Sequence, residues 1–357
     1  MINFNFFKSF KNSSNKIQVL EKNDLKNVDI NKIFYDQGFF IIKNFFNKDY
    51  IKKLKKFTDE TLELSDNIMQ DRVLTDACNH HSIFNEVILN TDLDFINKKI
   101  LGDNYIFLQT FDLHANQNAH QWHRDISSKK GNVVNYKNEK SRLIKYAIYL
   151  EVKNSIFAVI PESNQSNNRG DLFGKDIYFN QEINFNTKIN ENYDKNKILF
   201  IQPEPGDLVA FDFRLLHCAC NVDQDMKPSD NKNQLEKKVI WPAFGGEGNL
   251  SEAIYQYFRF VRRDFGEQNF DRPTEILFAK KNILPKSYNK KNDEYIKWIE
   301  ENIMLQEQFK PLMFLAETDQ KVVDFRNDYY KRNKDNPRYK LLAEKNKVIA
   351  DHITTIK

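Results

Sequence analysis

Cysteine is nearly absent: the 357 residues hold three, Cys78, Cys218 and Cys220. An odd number with no C-x-x-C pair argues against a disulfide framework and fits a reducing compartment. Long apolar runs are missing as well. No stretch reaches the ~18 apolar residues that a membrane span needs, and the amino-terminal MINFNFFKSFKNSSNK lacks the apolar centre of a signal peptide. The expectation is a soluble, cytoplasmic protein with no membrane partner. There is no excess of one charge either. The net charge of +4 comes from 54 basic and 50 acidic residues, mixed along most of the chain, so nothing asks for a nucleic-acid partner. Glycine is scarce at 10, whereas Lys, Asn, Ile and Phe recur everywhere. This is the pattern expected where codon bias favours Asn and Lys on the surface, so simple runs of the two are discounted as functional signals. No internal repeat is present, and the RGD at 169–171 reads as a turn in a polar loop.

What is present divides by texture, and the length allows one large domain or two small ones. GFFIIKNFF, beginning at Gly38, suits a short buried strand. After it, Ile51, Leu54, Phe57, Leu62 and Leu64 fall at helical spacing with charges between them, which predicts an amphipathic helix that packs. Between residues 105 and 260 short β-rich runs follow one another: YIFLQTFDLH, RLIKYAIYLEV, SIFAVIPES, KILFIQ, DLVAFDF and KKVIWPAF. With no regular helix between them they predict an antiparallel sandwich or barrel. Three long polar connections, 126–141, 163–196 and 222–236, are candidate lids, although each taken singly is equally well a surface insertion. Helical texture returns after residue 250, with Ile296, Ile299 and Ile303 at i, i+3 and i+7, until Pro311 interrupts it. The expected organisation is a domain over 1–250 with amino-terminal helices and a helical extension over 251–357 packed on it.

The chemistry-bearing residues are few. In QWHRD, His123 and Asp125 stand two apart, and strand residues i and i+2 project from one face about 6.6 Å apart, so both can reach one ion. Alone this pair is a weak signal. A third ligand is offered by PEPGDLVAFDFRLLH, where a Pro/Gly turn launches a strand that ends near His217. Two neutral imidazoles and a carboxylate with open positions suit a non-haem iron(II) that also binds a cosubstrate and oxygen. His80, His81, His114, His120 and His352 are weaker candidates, with His114 or His120 able to line the pocket.

WHRD at 122–125, the strand-loop-strand RLIKYAIYLEVKNSIFAVIPES and GDLVAFDFRLLH together resemble the phytanoyl-CoA dioxygenase family of iron(II) and 2-oxoglutarate oxygenases, and GFFIIKNFFNKDYIKKL resembles that family's leading strand and helix. The resemblance covers roughly residues 30–250. It implies a double-stranded β-helix, or jelly roll, with flanking helices and a helical carboxy-terminal extension. It implies His123, Asp125 and His217 as metal ligands, and a reaction in which 2-oxoglutarate and O2 become succinate and carbon dioxide while a substrate carbon is oxidised. The carboxylate Asp125, absent from halogenases of this type, favours hydroxylation.

The family's arginine for the far carboxylate of 2-oxoglutarate is replaced here by Lys237 or its neighbour Lys238. Lysine binds as a point charge and with less geometric control than a bidentate fork. Gln109 matches a position where related enzymes offer an amide to the cosubstrate, and Arg142 and Tyr149, on the next strand, could contact cosubstrate or substrate. PESN at 161–164 replaces a proline-glycine-serine-histidine turn. The expected function is hydroxylation of a small molecule. The alternatives are a non-catalytic jelly-roll scaffold and a cupin-like metalloenzyme that does not use 2-oxoglutarate.

Overall fold

A computed structural model describes residues 19–64, 73–74, 77–79, 81–116, 122–128, 142–165, 198–221, 236–261, 270 and 272–305. The leading segment forms β1 (Val19–Glu21), α1 (Ile30–Gln37), β2 (Phe39–Lys43), α2 (Lys48–Leu64), β3 (Val73–Leu74), α3 (Ile83–Ile88) and α4 (Thr91–Leu101). The β-rich segment forms β4 (Ile106–Ala115), β5 (Ile126–Ser128), β6 (Leu143–Lys153), β7 (Ser155–Ile160), β8 (Leu199–Ile201), β9 (Leu208–Asp212), β10 (Leu216–Asn221) and β11 (Glu236–Gly245). Then come α5 (Asn249–Gln256), a π-turn over Tyr257–Val261, α6 (Arg272–Lys280), α7 (Asp293–Asn302) and β12 (Ile303–Leu305). The chain is thus rich in β-sheet with flanking helices. Residues 129–141, 166–197 and 222–235, most of the expected lid connections, lie outside the described residues, as do His80, His120, the RGD and everything after residue 305.

One sheet has seven strands in the order β1-β2-β9-β6-β11-β4-β3, and a second has β10-β7-β8. Apart from the parallel β1–β2 pair, these neighbours run antiparallel. Alternation then sorts each long strand. On β6, Ile144, Tyr146, Ile148 and Leu150 join Phe111 and Leu113 of β4 beneath Ile51, Leu54, Val87 and Ile96 of the helices, forming the outer core. The intervening Ala147 and Tyr149 join Val209, Phe211, Val239 and Trp241 against Phe157 and Val159 of β7 and Leu199 and Ile201 of β8. The second sheet therefore packs on the inner face of the first. Each apolar side chain taken fully out of water in either layer contributes about 1.5–3 kcal/mol.

Past residue 245 the chain closes one end of the sandwich. Leu250, Ala253 and Ile254 of α5 pack with Ile106, Leu108, Leu143 and Ala243, and Ile299 of α7 joins them. The buried Glu252 accepts from the backbone N–H groups of Lys286 (2.8 Å) and Ser287 (3.1 Å), which ties the following loop to the helix. The 3.6-residue spacing carries Ile296 and Ile299 but stops short of Ile303. Helix α7 ends at Asn302, and Ile303 opens a strand paired with Ser128 of β5.

Candidate metal centre

The turn PEPGD is built by Asp207, whose side chain accepts from the Glu204 N–H (2.9 Å) and pairs with Lys43 (2.6 Å). It launches β9 but not the ligand strand directly. Asp212 ends β9 by accepting the Arg214 N–H at 2.8 Å on its side chain and the Leu215 N–H at 2.9 Å on its carbonyl. The chain turns there and crosses to the other sheet, so His217 is the second residue of β10 and does not end a single long strand. This crossing runs against Gly38, which adopts φ 82°; a Cβ there would meet Leu215 Cδ1 at 2.7 Å and Asn164 Oδ1 at 2.8 Å. Glycine is needed for the close approach as well as for the left-handed backbone.

His123 and His217 exchange both backbone hydrogen bonds, each 3.0 Å, as an isolated antiparallel bridge. Asp125 lies in a bend just before β5, not in a regular strand. The pair nevertheless converges with His217. One ligand atom from each of His123, Asp125 and His217 lies within 4.8 Å of the others, a group that could hold a metal ion. His123 Nε2 stands 3.9 Å from Asp125 Oδ1, and the two imidazoles are 4.2 Å apart between centroids. The Nδ1 of His217 lies 3.0 Å from the Leu215 carbonyl oxygen. A proton there donates to that carbonyl and leaves Nε2 with its lone pair for a cation.

Electrostatics favour the ligand forms. Burial pushes His217 below its ordinary 6.5, outweighing Asp125 and the Leu215 carbonyl, so the imidazole is neutral at neutral pH. Burial alone would raise the Asp125 carboxyl, but Lys145 foremost, then His217 and His123, hold it at about 2. Metal ligation requires these two states, since an imidazolium has no nitrogen lone pair to give and a protonated carboxyl is only a weak, neutral donor.

Alternation also decides which expected cosubstrate residues share this interior. Lys237 is buried, on the face of Val239 and Trp241, with its ammonium 5.8 Å from the Trp241 ring centre. Lys238 points to the other face, where it pairs with Asp59 (2.5 Å) and Glu151 (3.1 Å); the structure does not bring it to the triad. Tyr149 faces the interior beside Trp241 at 6.5 Å. Arg142 instead lies over Tyr35 at 5.1 Å and donates to Asn31, so it secures α1. Gln109 is buried at φ 55°, at the irregularity where the β4–β11 ladder steps from the Phe111–Pro242 pair to the Phe107–Phe244 pair, so simple alternation does not assign it a face. His114 contacts Trp241 at 5.8 Å and does line the interior, whereas His81 stacks on Phe57 at 3.9 Å on the helical side.

Two supports sit beside the ligands. Arg124 is buried and donates to the carbonyls of Arg214 (2.7 Å) and Ser163 (3.0 Å), joining the H-x-D segment to the turn before His217 and to PESN. Ser163 Oγ in turn accepts the Leu216 N–H at 2.8 Å. Glu162, at the position where the resembled turn has glycine, adopts φ 65°, in the left-handed region that favours glycine. The residue that sequence reading passed over is Lys145, which donates to Asp125 Oδ2 at 3.1 Å. Its signal was available: it is the lone charge within LIKYAIYL, on the face shared with Ala147 and Tyr149.

No family profile and no curated protein matches the sequence. Among solved structures, the chain is similar to the non-haem α-ketoglutarate-dependent epimerase SnoN from nogalamycin biosynthesis, at 8% identity over 63% of this chain and 81% of that one, with TM-score 0.43. It is also similar to HygX from Streptomyces hygroscopicus with nickel and 2-oxoglutarate bound, at 12% identity over 60% of this chain and 85% of that one, with TM-score 0.45.

Proposed function

We propose that this protein is an iron(II)- and 2-oxoglutarate-dependent oxygenase of the phytanoyl-CoA dioxygenase kind, hydroxylating a C–H bond of a small molecule with O2 as oxidant. The observation that carries the reading is the convergence of His123, Asp125 and His217 within 4.8 Å. The strand orders β4-β11-β6-β9 in one sheet and β10-β7-β8 in the other, extended by the His123–His217 bridge, support a double-stranded β-helix. Residues 1–250 then hold the machinery, and the segment 251–357 is an extension to it, whose described helices α5 and α7 pack on the β-core.

The three side chains suit the group they would hold: two imidazoles and one carboxylate fit iron(II) and leave positions open. An iron held there would supply the coupling of 2-oxo acid decarboxylation to oxidation of the substrate. The chain's own share is positioning and exclusion of water. His217 presents a neutral Nε2, Asp125 supplies the anion, and Lys237 supplies a buried cation for the far carboxylate of 2-oxoglutarate. Phe157 and Phe211, 5.3 and 4.8 Å from the His217 ring centre, keep water off one side of the site.

Anaerobic titration with iron(II) and 2-oxoglutarate tests the reading. We expect metal-dependent binding of the 2-oxo acid, succinate formation on admitting O2, and loss of both in His217→Ala. Absence of 2-oxoglutarate binding in the metal-loaded protein overturns it. A non-catalytic reading has one observation in its favour, that Lys145 already neutralises Asp125 without a metal; it predicts no metal uptake at all.

A further inference from the structure

A carboxylate can hold a cation through one oxygen or both, and the choice fixes how many positions remain for other ligands. The two oxygens of Asp125 are not equivalent. Oδ1 faces His123 Nε2 at 3.9 Å, on the side where the imidazoles converge, and Oδ2 accepts the Lys145 ammonium at 3.1 Å. Lys145 comes from the opposite sheet. It sits on β6, in register with Phe211 of β9 and Ala243 of β11, so its backbone is held from both sides. Its ammonium also lies 5.4 Å from the Trp241 ring centre and 5.9 Å from that of Phe213, and its side chain is 19% exposed. The Trp241 ring on β11, the Phe213 ring just after β9 and the carboxylate just before β5 leave the head group little freedom, and a charge-assisted hydrogen bond from a fixed ammonium orients its acceptor.

Resting on the metal-site reading above, we propose that Lys145 is a positioning residue: it occupies Oδ2 of Asp125 so that the carboxylate offers a bound metal one oxygen, and its charge moderates the affinity of the site for a divalent cation. The ligand set then spends three positions, two nitrogens and one oxygen. The remaining ones stay open for a chelating 2-oxo acid and a third ligand. A lysine that served only to neutralise a buried carboxylate would do neither; its removal would lower stability and leave the coordination number as it was.

Cobalt(II) is the probe, with calorimetry for affinity and X-ray absorption for the number of coordinating oxygens. In Lys145→Met the freed Oδ2 joins the metal and a repelling charge is gone, so we expect affinity to rise about tenfold or more and one further protein oxygen to appear. Lys145→Arg, which keeps the charge and the donor, should match the wild type in both readouts. A Lys145→Met protein with cobalt affinity equal to or below the wild type, at unchanged coordination, overturns the proposal. Absence of cobalt uptake by the wild type instead overturns the metal reading on which it rests. A double-mutant cycle of Lys145→Met with Asp125→Asn on the metal-free protein adds an independent arm: strong coupling is expected, and simple additivity overturns the contact itself.

Discussion

The seven-stranded sheet presents two faces built from the same strands, and Lys237 and Lys238 stand one on each. On the outer face, aromatic and aliphatic side chains pack beneath the helices, and Lys238 reaches carboxylates at the edge of that layer. On the inner face the apolar layer is interrupted by Lys145, Lys237 and His114, and Lys145 reaches the His123, Asp125 and His217 group through Asp125. A buried ammonium costs several kcal/mol unless something offsets the loss of water. The inner cations are set against the Trp241 indole, which lies within 6 Å of both, and Lys145 is set against Asp125 as well. The comparison teaches that charge in the outer layer pairs with carboxylates at an edge, whereas charge in the inner layer is held against an indole and, for Lys145, against a carboxylate of the candidate metal centre.

The largest effect separating the two faces is expected at Phe244, an outer-core ring packed against Tyr105 (5.7 Å), Phe107 (5.5 Å) and Tyr146 (5.9 Å). Phe244→Ala should cost about 3–5 kcal/mol in urea unfolding through the cavity it leaves. Cobalt affinity of the folded fraction should not change. A loss of cobalt binding without a loss of stability would break the division of labour between the faces.

The next contrast is between the adjacent lysines. A hydrogen bond to a charged group is worth about 1.5–3 kcal/mol, so Lys237→Met should weaken 2-oxoglutarate binding to the metal-loaded protein by about ten- to a hundredfold. Lys238→Met should leave that affinity within about twofold, since its partners are rim carboxylates. Calorimetry on both variants checks this, and an equal loss in the two would erase the distinction.

Much of this architecture was legible. Alternating or continuous apolar runs mark β4, β6, β7, β9 and β11 because a sheet covered on both faces leaves few positions for polar residues. His123, Asp125 and His217 were legible as candidates because three residues of two ligand types, histidine and aspartate, stand beside strand-like runs. Lys238 could not be told from Lys237 until the pleat assigned each a face, and composition says nothing of the pleat. Arg142, just before β6, and Tyr149 on it stand out in the sequence whereas Lys145 between them does not, since a single lysine in an apolar run reads as an edge residue until its acceptor is known. The three-residue pairing of β5 with β12 had no local pattern, because strands that short are held by tertiary context alone.

The smallest effect concerns Lys238 itself and is best read through pH. For Asp59, burial pushes the carboxyl up, but Lys238 and Lys55 more than reverse this, so its folded value lies below the ordinary 3.8. For Lys238, burial lowers the ammonium, while hydrogen bonds to Asp59 and Glu151 more than reverse it, leaving the folded value above 10.5. A depressed carboxyl stabilises the fold above its ordinary value, and this is lost as pH falls through the folded one. A raised ammonium stabilises it below its ordinary value, and this is lost as pH rises through the folded one. The deficit of Lys238→Met relative to wild type should therefore form a plateau between these limits, fading in acid and again in strong base. Because both side chains are partly exposed, the plateau should be only about 0.2–1 kcal/mol, and salt should shrink it. Thermal melts across pH at two ionic strengths measure it. A deficit that persists unchanged in acid, after Asp59 is protonated, would mean that the lysine stem, and not its charge, does the packing at this edge.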